Sequence, residues 1–136
     1  RLALGTLFAV YVVLLSGVLV ADVGSLARCL GWPFYGTGVD APEIPGSLPL
    51  VRRVWGGLAG VLILTTTLCA RRGRDARITR PAAFAGLLFL VEMAIGVLMQ
   101  FVGFNMMLGS LHVAAAVGTF ACLVVVTVRA GVTEGP

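Results

Sequence analysis

The sequence predicts an all-α integral membrane protein, a four-helix bundle that crosses the bilayer with a single long external loop. Three observations carry this. Of 136 residues, 59% are hydrophobic and only 12% charged, about half the charged share of a soluble domain. The apolar residues gather into long runs, each near the roughly 20 residues that a spanning helix needs. The ten basic residues are all arginine, and half of them crowd the stretch from Arg71 to Arg80, where a loop must join two of the runs.

The first helix is expected over Leu2–Val20. Its apolar run exceeds the core of a signal peptide and no small-residue cleavage site follows, so it reads as a span. The external loop, Ala21–Ser47, holds five glycines and Pro33, Pro42 and Pro45, a turn-rich composition. Its aromatics Trp32, Phe34 and Tyr35 suit a membrane interface. The second helix is expected over Leu48–Ala70 and the third over Pro81–Val102, with the arginine-rich loop between them. A tight turn, Gly103-Phe104-Asn105, leads to the fourth helix, Met106–Val128. The whole chain, 1–136, is read as one transmembrane domain.

Arginine placement sets the expected orientation. Seven arginines (Arg1, Arg71, Arg72, Arg74, Arg77, Arg80, Arg129) fall on one side, against Arg28, Arg52 and Arg53 on the other. Basic residues are retained on the cytoplasmic side, so both termini are expected inside, in a multi-pass protein of the plasma membrane. The net charge of +4 then serves topology and lipid headgroups, and nucleic acid is not an expected partner. Cys69 and Cys122 fall near the cytoplasmic ends of their helices and are expected reduced, while Cys29 in the loop has no external cysteine to pair with.

The residue with most chemical potential is His112, the single histidine. It lies about 9 Å in from the external end of its helix at 1.5 Å per residue. Arg52 lies about 6 Å in from the external end of the second helix by the same rise, with Arg53 beside it and Trp55 three residues on. Small residues share their faces: Gly109, Ala115 and Ala116 near His112, and Gly56, Ala59 and Gly60 near Arg52. A flat group such as a porphyrin has room there in principle, with imidazole for the iron and arginine for the propionates. The other reading is a histidine hydrogen-bonded to a neighbouring helix, with arginines snorkelling to the headgroups. Glu92, mid-way along the third helix, is costly at membrane depth unless protonated, paired or facing a polar cavity. It is either a proton-handling or pocket-lining group or an interhelical hydrogen-bond partner, and Gln100 extends its face outward. Thr65, Thr66 and Thr67 are expected to bond backbone carbonyls. Gly56 and Gly60, and Ala114, Gly118 and Cys122, have the spacing that lets helices approach closely.

Several segments resemble the haem A synthase family. The run Val20-Ala21-Asp22-Val23-Gly24-Ser25-Leu26-Ala27-Arg28-Cys29-Leu30-Gly31-Trp32-Pro33 is similar to the family's end of helix I. The stretch from Glu92-Met93-Ala94-Ile95-Gly96 to His112 resembles its Gln-x-x-x-Gly helix, short turn and histidine-bearing helix. Arg53-Val54-Trp55-Gly56-Gly57-Leu58-Ala59-Gly60 looks like the segment after the helix II histidine. The chain departs from the family's Glu-x-x-His-Arg pattern, reading Pro49-Leu50-Val51-Arg52-Arg53, and has Tyr35 where a second loop cysteine is common.

The resemblance implies one four-helix half of an eight-helix enzyme, as in compact archaeal variants, and hence a homodimer. It implies oxidation of a methyl group of haem O to the formyl group of haem A, with haem b, haem O or haem A as bound cofactor, substrate or product. His112 would be an axial iron ligand, with Arg52, Arg53 and Trp55 as haem contacts. Cys29 would be a redox or capping thiol and Glu92 a lining group. Haem O synthase or a terminal oxidase would be a further partner. The alternatives are a divergent haem-binding or oxidase-associated subunit, and a membrane scaffold with no cofactor.

Overall fold

The computed structural model describes residues 1–21, 48–102 and 105–133, with side chains for 1–16, 54–99, 101–102 and 105–131. The external loop with Cys29, and the side chains of Arg52, Arg53 and Gln100, lie outside the described residues. Four helices make up the described chain: α1 (Leu2–Ala21), α2 (Leu48–Arg72), α3 (Ala76–Val102) and α4 (Met106–Thr133). Described parts of α2, α3 and α4 are each long and apolar enough to cross a membrane. The chain is a multi-pass helical membrane protein.

The helices form a closed ring in which α1 packs on α2, α2 on α3, α3 on α4 and α4 on α1. Each turns one narrow stripe inward. On α3 it runs through Ala82, Ala85, Phe89, Glu92, Gly96 and Met99, and on α4 through Gly109, His112, Ala116, Thr119, Leu123 and Val126. The spacing of three and four residues is that of a helix face. Outside the stripe stand exposed Phe8, Leu64, Phe84, Leu90 and Val117, which suit lipid tails. Alanine supplies much of the interior, at positions 9, 59, 82, 85, 115 and 116. Such small residues let helices approach where lipid removes the hydrophobic drive between them.

Threonines and one arginine lock the arginine-bearing end. Thr6 and Thr66 share a buried hydroxyl hydrogen bond of 2.8 Å between α1 and α2. Thr67 donates at 2.9 Å to Ile63 O and at 3.0 Å to Ala82 O on α3. Thr65 donates to Val61 O within its own helix. These are the carbonyl bonds expected of the threonine run, except that Thr66 pairs with a hydroxyl.

The loop between α2 and α3 is much shorter than the ten residues expected from 71 to 80. Helix α2 continues to Arg72, and Gly73 and Arg74 close it with amide bonds to Cys69 O and Arg71 O. Arg74 takes φ 56°, the left-handed conformation that ends the helix. Asp75 then caps α3, its Oδ1 accepting from Arg77 N at 2.8 Å. Pro81, expected at the start of the third helix, stands inside α3. Proline has no N–H, so the carbonyl four residues earlier, Arg77 O, receives no helical bond from it. Arg129 Nη1 donates to that oxygen at 2.6 Å. The guanidinium reaches it because α4 runs on to Thr133, past the expected end at Val128.

Candidate functional site

The inward stripes of α3 and α4 bring Glu92 and His112 together. The imidazole Nδ1 lies 3.1 Å from the backbone oxygen of Glu92. A carbonyl can only accept, so Nδ1 carries the proton. The other ring nitrogen, Nε2, lies 3.8 Å from Glu92 Oε1. That exceeds hydrogen-bond length but is within ion-pair reach. The side chains are 12% and 19% exposed respectively, which is buried enough for an unpaired charge to be costly. Two proton distributions leave the pair neutral overall: imidazole with carboxylic acid, or imidazolium with carboxylate. Either meets the requirement that ionisable groups at membrane depth be paired.

Counting along the helices places Glu92 about 15 Å below the end of α3, and His112 about 9 Å below the start of α4, at 1.5 Å per residue. The difference is one helical turn, which the side chains bridge. Position along the chain alone sets the two apart, His112 near the outer face and Glu92 at mid-membrane. The signal that joins them is their shared place in the buried stripes.

A cavity of about 50 Å³ opens beside the pair. Val10, Val13 and Leu14 form its α1 wall, and Gly56 and Ala59 its α2 wall. Phe89, Glu92 and Met93 come from α3, and His112, Ala116 and Thr119 from α4. Thr119 Oγ1 is bonded back to Ala115 O at 2.9 Å, so the polar side of the cavity is chiefly His112 and Glu92. Half-buried Trp55, expected to touch a cofactor, is not among the lining residues. Phe89, Met93 and Thr119 were not singled out in the sequence, although Phe89 and Thr119 fall at stripe positions.

A porphyrin needs several hundred cubic ångströms and does not fit the cavity as packed. The expected slot of small residues is filled from within the bundle. A Cβ on Gly60 would lie 3.0 Å from Cε1 and Cζ of Phe89. A Cβ on Gly118 would lie 2.9 Å from Leu88 Cδ1. Both glycines admit a large α3 side chain against a helix backbone, and Gly56 is buried. The small faces whose spacing lets helices approach closely are thus largely used inside one chain, and Ala114 of that set is exposed.

The donor chemistry does suit iron. A histidine whose Nδ1–H is held by a backbone carbonyl is the form that presents Nε2 to a metal. Among the described residues no group of three or more His, Cys, Asp and Glu side chains could hold a bare ion. Cys69 and Cys122 are both free.

One likeness to a protein of known activity bears on this chemistry. The chain is 26% identical over 123 residues to the Protoheme IX farnesyltransferase of Haloquadratum walsbyi. The match takes in 89% of this chain but 26% of that protein, so the chain spans about a quarter of its length. No family model matches, and no solved structure matches.

Proposed function

We propose that this chain handles haem in the membrane as a haem A synthase-type protein, with His112 contacting the iron. The observation that carries the reading is the orientation of the chain's single imidazole, its Nδ1–H held by Glu92 O at 3.1 Å on the wall of a buried cavity. Two likenesses support haem as the ligand. The segments around Cys29, Arg53 and His112 resemble haem A synthase, and the farnesyltransferase that matches most of the chain is named for acting on protohaem IX. In this reading the substrate is haem O and the product haem A, by oxidation of one methyl group to a formyl group. Arg52 and Arg53, at the opposite end of α2 from the arginine-rich turn, pair the propionates, and Cys29 serves as a redox or capping thiol. The arginine-bearing end faces the cytoplasm.

The test is co-expression with a source of haem O, followed by extraction and separation of the haems. Haem A formed with the wild-type chain and not with His112→Ala is the expected result. Unchanged haem O beside well-accumulated wild-type protein overturns the synthase activity. Arginine at the family's histidine position and proline at its glutamate position favour a second reading, a haem-binding subunit without the chemistry. That reading predicts a haem spectrum without conversion.

A further inference from the structure

Five arginines at the arginine-bearing end take no part in joining the helices. Arg71, Arg72, Arg74, Arg77 and Arg80 are exposed, and among the described residues none of their guanidinium groups has a hydrogen-bond or ion-pair partner. Asp75 is the only acidic residue between them, and its Oδ1 accepts from Arg77 N. The turn that carries them is held in place from two sides. Thr79 Oγ1 donates to Ala70 O at 2.8 Å, and Arg129 Nη1 donates to Arg77 O at 2.6 Å. Within the turn the left-handed position falls on Arg74, with φ 56°, although Gly73 stands one residue earlier and is not left-handed. An arginine is thus kept where a glycine would cost less. The helix faces that lead to these arginines are apolar. Leu68 and Leu64 lie one and two turns before Arg72 on α2, and Phe84 and Leu87 lie one and two turns after Arg80 on α3. All four are exposed. Two neighbouring helices therefore each present a guanidinium without a protein partner at the end of a lipid-facing apolar strip.

We propose that the turn between α2 and α3 is a binding site for the phosphate of an anionic phospholipid, with Arg74 among its donors and the acyl chains lying along Leu64, Leu68, Phe84 and Leu87. A guanidinium can offer two parallel N–H groups to one phosphate, and clustered arginines beside a spanning helix attract anionic headgroups. The apolar strips favour a lipid over free phosphate, which gains nothing from them. A site of this kind differs from the orienting effect of basic residues. Orientation depends on charge alone, whereas the site depends on the shape of the guanidinium and on the residue that holds the left-handed position. The proposal does not rest on haem.

The experiment titrates purified protein in a neutral detergent with dioleoyl-phosphatidylglycerol or dioleoyl-phosphatidylcholine and counts bound lipid by native mass spectrometry. Wild type is compared with Arg74→Asn, Arg74→Gly and Arg74→Lys, and the titration is repeated in excess ammonium phosphate. Asparagine and glycine both suit the left-handed position, so neither disturbs the turn. The expected result is a preference for phosphatidylglycerol, about fivefold weaker binding in the asparagine and glycine variants, a smaller loss in the lysine variant, and no displacement by phosphate. The glycine variant is expected to unfold at or above the wild-type temperature, which separates loss of lipid from loss of fold. Equal binding of the two lipids, or wild-type binding by Arg74→Asn, overturns the site. Wild-type binding by Arg74→Lys also overturns it, because charge alone would then account for the attraction. Displacement by phosphate overturns the lipid as occupant. A glycine variant that unfolds below wild type would show that Arg74 holds the turn itself, and overturns its assignment as a lipid donor.

Discussion

The two ends of the bundle treat their polar residues differently. At the arginine-bearing end, threonines and Arg129 close local backbone and hydroxyl bonds. Thr67 serves two carbonyls, Thr6 and Thr66 serve each other, and Arg129 serves the carbonyl that Pro81 leaves unbonded. At the other end, Glu92 and His112 meet beside a cavity, with a carboxyl oxygen and a ring nitrogen 3.8 Å apart. Polar groups that only join helices close up into direct hydrogen bonds. At the other end the Glu92 and His112 side chains instead stand beside open volume. The first end is a clamp and the second a candidate site.

The contrast is broken most severely at the site. Glu92→Leu leaves His112 buried against an apolar side chain. It is expected to lower stability by about 2–3 kcal/mol, towards the low end for breaking a buried pair because some exposure remains. Glu92→Gln, which keeps a polar partner, is expected to cost about half as much. Unfolding in mixed micelles measures both, and equal effects of the two variants would show that a neutral polar group does not replace the carboxyl.

At the clamp the effects are smaller. Thr66→Val removes the hydroxyl that Thr6 meets across α1 and α2 and is expected to cost about 1 kcal/mol, the usual scale for such bonds between membrane helices. Thr6→Val should add less in that background than it costs alone, because the shared bond is already lost and only the Thr6 bonds to Leu2 O and Leu62 O remain to be broken. The smallest effect is at Arg129. Arg129→Met is expected to cost about 0.5–1 kcal/mol at this exposed position. In a Pro81→Ala background the restored amide satisfies Arg77 O, and the cost should fall. A cost unchanged by Pro81→Ala would mean that Arg129 acts through other contacts.

Much of the fold was legible because hydropathy alone marks a spanning helix. The four runs were read with starts correct for α1, α2 and α4. Pro81 misled at α3, since proline usually marks a helix start, and nothing in the local sequence shows that Arg129, far along the chain, repairs the missing bond. The site was half legible. His112 and Glu92 stood out as ionisable groups at membrane depth, but their contact depends on helix register, which sequence spacing along one helix does not give. The small residues on α2 and α4 suggest space. Phe89 and Leu88 show why composition misleads there: a glycine on one helix is room only if its neighbour does not fill it.

The central claim is that the His112 end of the bundle is a haem site, and the optical spectrum of purified protein titrated with haemin tests it most directly. The account predicts a Soret band that saturates for the wild type and is lost, or reduced to the level of non-specific haemin, in His112→Ala, while Thr66→Val binds as the wild type does. A Soret band of equal intensity and position in wild type and His112→Ala would contradict it.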